Sequence, residues 1–169
     1  MNRKGDVWVS TVLYTLITIA VIALVLAAVT PVINKNKDKV IIEQSVDMLN
    51  QIDQAIDTSI QVEGTRAMVE LSIKKGNLIF DSNQISWKFD DSNYMYSEPG
   101  QIVNKGKMII LTMPKDNKWS INITLNNLEI NITSQLVLQP SDTSYKLFIE
   151  NLGYNSTRNQ TDLSITSSF

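Results

Sequence analysis

The sequence predicts an α+β chain: a long N-terminal α-helix, apolar through its first half, followed by an antiparallel β-sheet or β-sandwich head domain. Three observations predict it. Val7 to Asn34 carries no charged side chain. The segment VIIEQSVDMLNQIDQAIDTSI then repeats its apolar residues at three- and four-residue steps. From Thr65 the period falls to two, the spacing of residues on one face of a strand.

The uncharged run is long enough to span a membrane, because about 20 apolar residues at 1.5 Å rise cross a hydrocarbon core of ~30 Å. A secretory signal peptide has an apolar region of only about 7 to 15 residues. The pair Ala27-Ala28 lies inside the run, so cleavage there would discard an unusually long leader. Pro31 lacks a backbone donor and crowds the carbonyl four residues earlier, which predicts a kink. Beyond NKNKDK, the residues Ile42, Val46, Leu49, Ile52, Ile56 and Ile60 form one apolar stripe, with Gly64 as the expected stop. The first half of the helix wants lipid or sister helices, and the second half wants a sheet. Charge does not orient the span, since Arg3 and Lys4 on one side face Lys35, Lys37 and Lys39 on the other.

In the head, Val69, Leu71 and Ile73 alternate with polar residues, and KKGN turns the chain into Leu78 to Phe80. Ile85, Trp87 and Phe89 repeat the alternation, MIIL reads as a more buried strand, and PKDNK punctuates before the next. Short strands at close spacing predict an antiparallel meander. In WSINITLNNLEINIT, an Asn126-Asn127 turn predicts a two-residue hairpin with Leu125 facing Leu128 and Asn122 facing Asn131. SYKLFIE is then the last expected strand, with Tyr145, Leu147 and Ile149 on one face. The expected division is a leader at 1–5, a membrane or filament-core helix with its amphipathic stalk at 6–62, a head at 63–153 and a polar tail at 154–169.

Composition removes several function classes. The 169 residues hold 15 basic and 17 acidic side chains, so no net field draws in nucleic acid. With no cysteine and no histidine there is no thiolate nucleophile, disulfide, histidine-based triad or sulfur–imidazole zinc site. The expectation is a chain that is not an enzyme and uses neither cofactor nor metal. Asp81-Ser82-Asn83 and Asp90-Asp91-Ser92-Asn93 are oxygen-rich, but they lack the glycine and distal glutamate of a twelve-residue calcium loop and read as solvated turns. Asp47, Asp53 and Asp57 read as a solvated helix face, with intersubunit pairing to Lys35, Lys37 or Lys39 as the lesser option. Tyr94 and Tyr96 read as an exposed adhesive pair.

A short basic leader ending in Lys4-Gly5, followed at once by the uncharged span and an amphipathic helix, resembles archaeal type IV pilin-like proteins and archaellins, with their class III signal peptides. The resemblance covers about the first third of the chain. It implies cleavage by a prepilin peptidase on the cytoplasmic side, between Gly5 and Asp6 with Lys4 before them, so that the apolar span stays in the mature subunit. It also implies a filament core built from Val12, Leu13, Leu16, Ile19, Ile22, Leu26 and Val29. Ser10 stands where bacterial type IV pilins carry a glutamate, so their intersubunit salt bridge is not implied, and the glycine-rich start of archaellins is missing.

The implied function is a structural subunit of an extracellular filament for adhesion or motility. It would be stored in the cytoplasmic membrane, extracted by an assembly ATPase and platform machinery, and packed against identical subunits. The alternative is a single-pass anchored surface protein whose β ectodomain binds a ligand and never polymerises. Four N-glycosylation sequons, at Asn122, Asn131, Asn155 and Asn159, would place the head outside the cell if occupied. The predicted hairpin register would crowd Asn122 against Asn131.

Overall fold

The computed structural model of the chain describes residues 3–127 and 129–168, with residues 3–7 described by backbone alone. The fold is α+β: one long helix, α1 (Arg3–Ser59), precedes two β-sheets. Two compact units divide the chain, Met1–Lys37 and Asp38–Phe169. Pro31 lies within the α-helical backbone of the first unit.

The second unit begins with the amphipathic half of α1. Ile42, Val46, Leu49, Ile52 and Ile56 are fully buried, as the three- and four-residue spacing requires, while Ile60 is half-buried. The helix ends at Ser59, and its last carbonyls are not abandoned. Asn151, itself buried, donates its Nδ2 to Ser59 O at 3.0 Å and Val62 O at 3.2 Å. This supplies partners that the final turn of a helix otherwise lacks. Gly64 follows with φ 78°, and its N–H bonds Asn151 O.

Ten strands follow: β1 (Arg66–Leu71), β2 (Asn77–Asp81), β3 (Gln84–Ser92), β4 (Ile102–Lys105), β5 (Met108–Lys115), β6 (Lys118–Asn126), β7 (Ile130–Ile132), β8 (Leu136–Leu138), β9 (Tyr145–Asn155) and β10 (Gln160–Ser168). The six-stranded sheet has the order β4-β5-β6-β3-β2-β8 and the four-stranded sheet the order β1-β9-β10-β7. Every neighbouring pair is antiparallel except β7 with β10. Trp87, Phe80, Ile85, Ile110, Ile121 and Ile123 share the core with the helix stripe and with Leu147, Ile149, Leu163 and Ile165.

Four expectations need correction. KKGN does not join a hairpin, because β1 pairs with β9 in the other sheet. The Asn126-Asn127 hairpin does not form either. Both edges of β6 are already taken, with Leu125 opposite Ile85 of β3 and Met108 of β5. Asn127 instead makes an Asx turn, accepting from the Glu129 N–H at 3.1 Å, and the chain crosses into the four-stranded sheet. Leu128, one half of the expected facing pair, lies outside the described residues. The expected unstructured tail is largely strand: β10 pairs along β9 and buries Leu163 and Ile165. Two apolar residues suffice there because the neighbouring strand supplies a continuous ladder. Finally, Tyr94 and Tyr96 are half-buried against the core and do not form a free aromatic pair.

Candidate functional site

Among the described residues, the large apolar side chains of the first unit's helix are exposed. Val12, Leu13, Leu16, Ile19, Ile22, Leu26 and Val29 are between 42% and 59% exposed. An 18-residue window here reaches a mean hydropathy of 2.8, with none of it buried. Monomeric proteins in water rarely leave contiguous apolar surface of this extent uncovered.

The polar side chains of this stretch are consistent with apolar surroundings. The hydroxyls of Thr15, Thr18 and Thr30 donate back to the carbonyls of Thr11, Tyr14 and Leu26 at 2.8, 2.8 and 2.6 Å. Each hydroxyl is thereby satisfied within the helix and asks nothing of its environment. Pro31 removes the donor that Ala27 O would receive, and the Thr30 bond falls on the adjacent carbonyl. Lys4, Gly5 and Asp6 lie in the helical backbone of α1, and their side chains are outside the described part of the structure.

The sequons do not meet as the hairpin register implied. Asn122 lies on β6, opposite Lys88 and Leu111, whereas Asn131 lies on β7 in the other sheet, opposite Asp162. Asp162 instead joins two of the sites, Asn131 and Asn155. It accepts from Asn131 Nδ2 at 2.8 Å, from Asn155 Nδ2 at 3.3 Å and from Arg158 Nη2 at 3.1 Å. Hydrogen bonds from Asn131 foremost hold its carboxyl below the usual range. Asn155 Oδ1 also accepts from the Thr157 and Arg158 N–H groups, which closes the β9–β10 turn. Asn159 is exposed, has φ 56°, and accepts from the Tyr154 hydroxyl.

Three polar ties within the second unit escaped the sequence reading. Asp38, read as one acid among lysines, is buried; it accepts from Lys75 Nζ at 2.7 Å and from Asn93 N and Nδ2 at 2.8 and 2.7 Å. The missed signal was position, for Asp38 stands four residues before Ile42 on the buried stripe. Asp53 and Asp57 both bind Lys107 Nζ, at 3.0 and 2.9 Å, instead of being merely solvated. Asp90 accepts from Lys115 at 2.8 Å and from Ser120, and these bonds hold it below the usual carboxylate range. Among the described residues no group of three or more acidic side chains is arranged to hold a metal ion.

Neither models of protein families, nor curated protein sequences, nor solved structures match this chain. The chemistry of its own residues is left to carry the functional reading.

Proposed function

We propose that the chain is a structural subunit of an extracellular type IV pilus-like filament and performs no catalysis. The single observation that supports this reading is the uncovered apolar surface of α1 from Trp8 to Val32, set beside a stalk half whose apolar stripe is already buried. One helix carries two apolar surfaces, and the chain satisfies only one of them.

Before assembly the uncovered half would lie in the cytoplasmic membrane. During assembly it would be withdrawn and packed against the same segment of identical subunits. Burying each Leu, Ile or Val is worth about 1.5 to 3 kcal/mol relative to water. Between bilayer and bundle the difference is smaller and comes from packing, because lipid tails are as apolar as leucine. Prepilin peptidase would cut after Gly5, removing Arg3 and Lys4 and freeing the helix from its charged cytoplasmic tether. The head would form the outer surface, with its sequons available to glycosylation.

Replacing Gly5 with Trp tests this reading. A bulky residue at the cut should block leader removal, leave the chain in the membrane fraction and abolish filaments. A permanently anchored surface protein would be indifferent to the change.

A further inference from the structure

A cleft of about 460 Å³ opens in the second unit between the Lys74–Asn77 turn, the end of β3 and the start of β6. The turn is rigidly held. Asp38 fixes the Lys75 ammonium, and the Trp87 indole N–H donates to Lys75 O at 3.0 Å. Gly76 has φ 74°, and a Cβ there would lie 2.7 Å from Lys88 O. Asp91, also in the lining, has φ 67°, a left-handed conformation that aspartate and asparagine adopt more readily than other non-glycine residues.

The charges of this cleft do not cancel. Lys75 is neutralised by Asp38, and Asp90 pairs with both Lys115 at 2.8 Å and Lys88 at 4.0 Å. Lys74 and Lys118 then remain against Asp91, a local positive excess on a chain whose net charge is −2. The lining also offers hydrogen-bond partners of both kinds: an amide from Asn77 and a carboxylate acceptor from Asp91.

We infer that this cleft binds an acidic saccharide, its carboxylates paired with Lys74 and Lys118 and its hydroxyls donating to Asp91. The mixed lining decides between anions. A phosphate chain presents acceptors only and is repelled by Asp91, whereas a uronate sugar brings a carboxylate and hydroxyl donors together. Such a site would give the head a ligand whether the chain is a filament subunit or a permanent anchor.

The test is calorimetry on the full-length chain in non-ionic detergent, with a tetragalacturonate probe, maltotetraose as the neutral control and tripolyphosphate as the non-sugar anion. Tetragalacturonate should bind, maltotetraose should not, and tripolyphosphate should bind more weakly. Lys74→Gln with Lys118→Gln removes two exposed lysines that carry no ion pair among the described residues and should weaken tetragalacturonate binding about fivefold. Asp91→Asn keeps the turn and should weaken tetragalacturonate relative to tripolyphosphate. No binding at millimolar tetragalacturonate overturns the inference. So does binding that the double substitution leaves unchanged, or tripolyphosphate binding as tightly as the sugar.

Discussion

The carboxylate of Asp38, 1% exposed, accepts a 2.7 Å hydrogen bond from the Lys75 ammonium, whose side chain is 45% exposed. With the two bonds from Asn93, this contact fastens α1 to the connection between β1 and β2 and to the segment that follows β3.

Asp38→Ala should destabilise the second unit by about 2 to 3 kcal/mol, because hydrogen bonds to a charged group are lost while Lys75 can still turn to water. Urea unfolding of the full-length chain in detergent, followed by tryptophan fluorescence, measures it.

The same residue sets an acid limb. Burial raises the Asp38 pKa, but the hydrogen bonds from Lys75 and Asn93 outweigh burial and leave it below its ordinary value of 3.8. A depressed folded pKa means that the stabilisation is complete above the unfolded value and is lost as pH falls through the folded one. Stability should therefore decline below about pH 4, and Asp38→Asn should flatten that decline while lowering the neutral plateau.

Gly76 and Gly106 both have positive φ, yet they should respond differently to alanine. At Gly106 an added Cβ meets nothing within 4 Å, so only backbone strain opposes it, about 1 kcal/mol. At Gly76 the Cβ would lie 2.7 Å from Lys88 O and 2.8 Å from the Trp87 ring, and the cost should rise to about 2 to 4 kcal/mol. Thermal melts of the two variants under one condition make the comparison.

Glycan occupancy should follow the hydrogen bonds of the sequons. Asn131 and Asn155 would have to give up Asp162, and Asn131 is half-buried, whereas Asn159 is exposed at a turn. Glycopeptide mass spectrometry should find Asn159 the most occupied and Asn131 the least. Asp162→Ala should raise occupancy at Asn131 and Asn155.

What the sequence disclosed, and what it hid, follows from the range of the forces involved. The helix stripe from Ile42 to Ile56 and the alternation at Ile85, Trp87 and Phe89 are local periodicities, and all of these residues are buried. Strand partnership is not local. Nothing in NLEINIT shows that β6 already has two neighbours, so its turn residues suggested a hairpin where the chain crosses to pair in parallel with β10. The tail hid its strand because only Leu163 and Ile165 mark it, and most of its order comes from the ladder with β9. The uncovered helix was legible in full, since hydropathy summed over one contiguous run needs no partner to be read. The cleft was not legible, because its lysines come from segments that only the folded sheet brings together.

Leu16→Lys places a charge on the uncovered helix, at a cost of about 2.5 to 3.5 kcal/mol for membrane insertion at mid-span. Leu16 belongs to the first unit and makes no part of the head core. Filament yield in the sheared fraction should fall at least tenfold, while the melting temperature of the second unit should not move.

The most direct measurement is the N-terminal sequence of subunits sheared from the cell surface. Chains that begin at Asp6, with the apolar helix retained and recovered in filaments, are expected. Recovery of the protein only from the membrane fraction, with Met1 to Gly5 still attached, would contradict this expectation.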